Sequence, residues 1–180
     1  MTVVMQHPGQ SDAILTTDVI AHLGVQLESA QRMLQIVLEQ GAAIRRRDVK
    51  AVVSLTGLLQ VEMQRRTGIE RDRTRLLERA GARLDVAPGA VTIGLLDTVM
   101  DPARAREAHE RSAQLRGILD EVAREHHVNR ALMSQELAFL DHLLRLSDSD
   151  RNLGYDSAGD HNRIAAQRAS RRHRSLDLEV

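Results

Sequence analysis

From Ile20 onward, apolar or small residues recur at alternating three- and four-residue steps: Ile20, Leu23, Leu27, Ala30, Leu34, Val37, Gly41 and Ile44. That spacing places them on one face of a helix, as a heptad seam. Thr16 or Thr17 is the expected cap of this first helix. Gly24 and Gly41 each cost about 1 kcal/mol relative to Ala in a helix interior, so they predict close helix approach or local bending. A second stripe follows at Val49, Val52, Leu55, Leu59, Met63, Ile69, Leu76 and Leu77. It is less pure, because the register of Val52, Leu55 and Leu59 carries Glu62, Arg66 and Arg73 onto or beside the core line. There their stems are expected to cover apolar surface while their charges reach water. Glu62 and Arg66 also have the spacing of a helix-surface ion pair. A break near Arg45–Asp48, with Asp48 capping the second helix, is favoured over one continuous rod, since two antiparallel helices bury each other's stripes.

Gly81 is the expected stop of the second helix, and Pro88-Gly89 marks a turn. Val91 to Met100 then reads as a short helix packing Val91, Leu95, Val99 and Met100 across the long ones. Asp101 has the chemistry of a cap and Pro102 suits the first helical position. A long helix is predicted from there to about Leu146, ended by Ser147-Asp148-Ser149-Asp150. Its seam runs through Ala105, Ala108, Ser112, Leu115, Leu119 and Val122, takes in His126, and resumes at Met133, Leu140 and Leu143. Around Leu132-Met133, Leu137, Phe139-Leu140 and Leu143-Leu144 the stripe widens beyond a two-helix seam, a surplus of apolar surface that needs a partner. The fold class is therefore all-α: long antiparallel helices forming a coiled-coil-like bundle, with a short connecting helix. Residues 1–15 are expected to be a flexible segment, 16–147 the helical domain, and 148–180 a flexible segment with a Tyr-containing motif and a basic tail.

Composition narrows the chemistry. With 180 residues the chain suits one domain. A formal net charge of +0 supplies no field steering the whole molecule toward nucleic acid or acidic membrane. Aromatic residues are 1% of the chain, which disfavours enzyme pockets and base-stacking surfaces. Absence of Cys removes disulfides, thiolate nucleophiles and cysteine-ligated zinc. No signal peptide pattern and no membrane-length apolar run appears, so the reading is a soluble, cytoplasmic protein without stable membrane insertion. Neither a phosphate-binding Gly-x-x-x-x-Gly-Lys loop nor a Gly-x-Ser-x-Gly elbow is present. His126 and His127 are adjacent on a helix and point about 100° apart, so they do not converge on one metal ion; His126 reads as a partly buried seam residue. His22 lacks the Lys-Gly that commonly follows a phosphotransfer histidine. Arg45-Arg46-Arg47 is a solvated helix end favoured by the dipole. No enzyme, cofactor or metal site is expected.

Several segments together resemble the FlgN family of flagellar export chaperones. Ile44, Asp48, Val52 and Leu55 resemble that family's spaced leucine–aspartate–leucine pattern. Ile69-Glu70-Arg71-Asp72-Arg73 followed by Leu76-Leu77 resembles its hydrophobic-Glu-x-x-Arg segment. Asn129, within His127-Val128-Asn129-Arg130-Ala131-Leu132, sits where the family tends to have a helical Asn, and Tyr155 with Gly159 resembles its terminal Tyr–Gly motif. The resemblance spans roughly Ile20 to Gly159. It implies a cytoplasmic, non-enzymatic chaperone for the hook-associated junction proteins FlgK and FlgL, which holds their C-terminal helical segments, prevents premature assembly and delivers them to the export gate protein FlhA. On that reading Leu132, Met133, Leu137, Leu140, Leu143 and Leu144 form the client-binding groove, and Tyr155 with Gly159 docks at the gate.

Two rivals come from other classes. A structural coiled coil would homodimerise through the same heptads and bind no client. A nucleic-acid-associated helical protein would use the basic stretch from Arg163 to Arg174, with binding that weakens steeply with salt; no nucleic-acid partner is expected. The stretch from His161 to Val180 offers too little apolar surface to offset its ordering.

Overall fold

A computed structural model describes residues 8–153 in backbone and 9–146 in side chains. Among the described residues four helices follow one another: α1 (Pro8–Arg45), α2 (Val49–Leu84), the short α3 (Ile93–Leu96) and α4 (Pro102–Leu153), with 3-10 turns at Pro88–Ala90 and Asp97–Val99. The chain divides into two compact units, Met1–Gln135 and Glu136–Val180, with α4 running through the boundary.

In the first unit α1 and α2 form an antiparallel pair. Asp18 meets Arg79, Ser29 meets Glu62 and Gln40 meets Thr56, so residue numbers run in opposite directions along the contact. The expected break exists: α1 ends at Arg45, Arg47 takes a left-handed φ of 57°, and the Asp48 side chain accepts from the Ala51 N–H at 3.0 Å. Across the connector the Asp101 side chain accepts from the N–H groups of Ala103 and Arg104, both at 3.0 Å, starting α4 as expected. Helix α4 lies parallel to α1, since Arg111 reaches the Ile20 carbonyl and Asn129 the Val37 carbonyl. Thus α1 is the shared helix. It buries two adjacent stripes, Leu15, Val19, Ala30, Met33, Val37 and Ile44 among them, because it is covered from two sides. One end is sealed by the connector: Leu96 packs with Leu15, Val19, Leu76 and Ala80, and Val91, Val99 and Met100 close around them.

Several boundaries and registers differ from expectation. Helix α1 begins at Pro8, ahead of Thr16 and Thr17, so the expected flexible segment is helical from residue 8 onward. Leu15 is 5% exposed in the core just described, and the Thr17 hydroxyl donates to the Ala13 carbonyl one turn back instead of capping. Helix α2 passes Gly81 and stops at Leu84, with Asp85 in a left-handed conformation at φ 55°. Gly81 serves that turn differently: its carbonyl accepts from Asp85 and Val86, and a Cβ there would stand 2.7 Å from the Val86 oxygen. In the connector Leu96, not Leu95, is the buried anchor. Helix α4 continues past Ser147–Asp150 to Leu153. Its buried line moves from Val122 to Glu125, Asn129 and Leu132, leaving His126 exposed. At about 100° per residue, the two successive three-residue steps from Leu119 to Val122 to Glu125 swing the buried line off the heptad seam and onto Glu125.

Candidate functional site

Apart from the apolar cluster, polar locks set how the helices of the first unit meet. Glu62 is 5% exposed and occupies the seam position that the sequence register gave it, while Met63 beside it is 55% exposed. The Glu62 charge does not reach water. The Ser29 hydroxyl donates to its Oε1 at 2.7 Å, the Arg32 Nε donates to Oε2 at 3.2 Å, and Arg65 stands 3.7 Å away. Burial pushes this carboxyl up, but the Ser29 hydroxyl, the Arg32 guanidinium and the Arg65 charge more than offset it, so its pKa lies below the usual glutamate value. The expected Glu62–Arg66 pair does not form, and Arg66 turns to Glu70 instead, at 3.9 Å.

The second lock joins α1 to α4 and uses both helix glycines. Asn129 is 1% exposed and its Nδ2 donates to the Val37 carbonyl at 2.7 Å, while its Oδ1 is buried with no hydrogen-bond partner among the described residues. A Cβ on Gly41 would stand 2.5 Å from that oxygen. One would stand 3.0 Å from Arg111 Nη1 if placed on Gly24, and that nitrogen donates to the Ile20 carbonyl at 2.9 Å. Gly24 and Gly41 therefore mark close approach of α4, as their cost in a helix interior suggests.

Of the candidate site residues, Leu132 is half-buried in the first unit, where Met133 is 40% exposed. The second unit carries the rest. Leu137, Leu140, Leu143 and Leu144 all project from α4 with exposures between 43% and 67%. Phe139 and Leu146, 47% and 50% exposed, share their side of the helix. At about 100° per residue these six side chains cover one half of the helix circumference. The other half carries Asp141, His142 and Arg145, with Asp141 and Arg145 paired at 2.8 Å. This is an amphipathic helix whose apolar half is uncovered, and surplus of that kind marks interaction surfaces. Leu146 was not anticipated, although its three-residue spacing from Leu143 was visible. Tyr155, Gly159 and the basic tail lie outside the described residues.

Another feature escaped the sequence. Between α1, α2, α4 and the connector lies a cleft of about 390 Å³, floored by Leu23, Leu76, Leu96, Leu115 and Leu119. His22 is in its wall, with Nε2 buried and, among the described residues, without a hydrogen-bond partner. Desolvation lowers the His22 pKa below the usual imidazole value; Asp72 and Glu70 oppose the shift and Arg73 adds to it. Among the described residues no group of three or more His, Cys, Asp or Glu is placed to hold a metal, and no helix is long and apolar enough to cross a membrane.

Comparison with known proteins gives one family: the model described as FlgN protein matches residues 5–163. No curated protein and no solved structure matches the chain.

Proposed function

The chain belongs to the FlgN family of flagellar export chaperones, and from that premise we propose that it binds the C-terminal helical segments of the hook-associated proteins FlgK and FlgL in the cytoplasm and carries them to the export gate. The observation that carries this reading is the uncovered apolar half of α4 between Leu137 and Leu146. A client helix laid on that face supplies the partner it lacks, in the manner of an amphipathic helix docking through leucine-type anchors. Leu132 and Met133 belong to the proposed client-binding set on the same helix.

The energetics suit capture followed by release. Burying the exposed half of one such side chain is worth about 1 kcal/mol, so six give roughly 6 kcal/mol before the client's ordering is subtracted. A client segment that folds on binding loses several kcal/mol of that to ordering, which keeps affinity moderate. Tyr155 and Gly159 are assigned to gate docking at FlhA on the family resemblance; a tyrosine combines an apolar ring with a hydroxyl, a pairing suited to a pocket anchor.

The test is titration calorimetry with a peptide from the C-terminal helix of the same organism's FlgK. Leu140→Asp puts a carboxylate in the centre of the face and is expected to weaken binding at least tenfold, with helicity by circular dichroism unchanged. Tyr155→Ala is expected to leave peptide binding intact. Absence of binding at high micromolar peptide, for FlgK and FlgL alike, would refute the client reading in favour of a self-associating coiled coil.

A further inference from the structure

We infer that the cleft over His22 is a second contact for the exported client, taking apolar side chains one helical turn apart together with a carboxylate carried beside them. This rests on the chaperone reading above, but it concerns a different part of the molecule and a different segment of the client.

Three observations carry it. First, helices α2 and α4 both meet α1, and the 390 Å³ between them has a floor of leucines and one end closed by the connector. Three long helices around one slot are an incomplete four-helix arrangement, which a fourth amphipathic helix completes. Second, the cleft lining is unbalanced in charge. Glu70 is the one carboxylate shared by two guanidinia, Arg73 at 3.4 Å and Arg66 at 3.9 Å, and all three line the cleft. One positive charge is left over, so the complementary occupant brings a carboxylate. Glu70 and Arg73 are also the charged residues of the hydrophobic-Glu-x-x-Arg segment, so that sequence pattern and the cleft coincide. Third, His22 lines the cleft beside Glu70 and Arg73, and its ring is held in a desolvated place that a charged occupant next to it would perturb. An apolar peptide lacking acid would leave the extra guanidinium unanswered.

The experiment uses the full chain and full-length FlgK, measured by calorimetry beside the short C-terminal FlgK peptide. Arg73→Glu reverses an exposed charge without touching the core. Leu119→Trp fills the cleft, with its folding checked by thermal melting. Both are expected to weaken full-length FlgK about five- to twentyfold while leaving the short peptide unchanged, the reverse of a variant at Leu140. As a readout independent of any variant, the ring resonances of His22 are expected to shift on adding full-length FlgK. Unchanged affinity in both variants, with Leu140→Asp still impairing binding, would overturn the second contact and leave the proposed function standing. Failure of the wild-type chain to bind either form of FlgK would overturn both. His22 resonances that move with the concentration of the chaperone alone would assign the cleft to a second copy, and movement with decanoate but not FlgK would assign it to a small amphiphile; either result sinks the proposal.

Discussion

Replacing Gly41 by Ala sets helix propensity against packing, and the two give opposite signs. Inside a helix Gly→Ala is worth about 1 kcal/mol of stabilisation, since Gly loses more backbone freedom on folding. At Gly41 the new Cβ would stand 2.5 Å from Asn129 Oδ1 and 3.4 Å from its Cγ, so the Asn side chain has to move. It has little room, being 1% exposed, and its bond to the Val37 carbonyl is 2.7 Å long. Losing that buried bond costs about 1 to 3 kcal/mol. Overpacking a filled interface costs about 1 to 3 kcal/mol more. Less the propensity gain, Gly41→Ala is expected to destabilise the protein by roughly 1 to 5 kcal/mol.

Gly57 in α2 is the control, because a Cβ there meets nothing within 4 Å. Gly57→Ala should stabilise by about 0.5 to 1 kcal/mol. Urea denaturation followed by circular dichroism separates the two, with midpoints compared at unchanged slope. Asn129→Ala removes the obstacle, so adding Gly41→Ala to it should cost far less than adding it to the wild type, a coupling of about 1 to 3 kcal/mol. If Gly41→Ala stabilises as much as Gly57→Ala, or if the two changes simply add, the close contact between α1 and α4 is wrong.

Two further predictions concern pH. Glu62 has a folded pKa below its ordinary value, so its contribution is complete above that value, near 4.5, and is lost as pH falls through the lower folded one. Glu62→Gln should therefore cost about 1 to 2 kcal/mol at neutral pH and nothing in strong acid, with melting curves across pH as the check. His22 also has a lowered folded pKa, so wild-type stability should decline as pH drops below the ordinary value of 6.5, where the unfolded chain takes up the proton first. His22→Gln should flatten that decline, and an identical slope in the variant would show that the imidazole is not the group responsible.

The heptads of α1 and α2 made the antiparallel pair legible, since only a partner helix answers such a stripe. Asp48 and Asp101 could be read because capping needs a side-chain oxygen at one position. Gly24 and Gly41 could be read as close approach or local bending, and only the fit against Arg111 and Asn129 decides for close approach. Other features were hidden for physical reasons. Helix α1 starts at Pro8, about three turns ahead of the heptad stripe that begins at Ile20, so the periodic pattern did not reach back to Leu15. Glu62 could be placed at the seam by register, but the burial of its charge depends on Ser29 and Arg32 reaching across from another helix, which no local pattern contains. His126 and Glu125 differ by one residue, and heptad counting picks the wrong one because α4 takes two three-residue steps in succession there. The cleft over His22 is made by four elements far apart in sequence, so the Glu70–Arg73 segment in its wall could be read as a motif but not as the side of a cleft.

The distribution of polar and apolar contacts bears on how such a chain can hold an uncovered leucine face and remain folded. In the first unit, register is set by groups that have few alternatives: a buried Glu62 held by Ser29 and Arg32, and Asn129 seated on Gly41. Buried polar contacts of this kind disfavour slipped pairings, because a shift of one turn leaves each group unpaired in the interior. The apolar cluster around Leu15, Val19, Leu76, Ala80 and Leu96 uses none of the residues between Leu137 and Leu146. Folding of the first unit therefore does not require the second unit's face to be covered. A charge placed at an exposed position such as Leu140 should then change melting by less than about 0.5 kcal/mol while removing client binding. A face that is costly to binding and neutral to folding when changed is what separates a client surface from a core exposed by chance, and a large loss of stability in Leu140→Asp would place these leucines in the core instead.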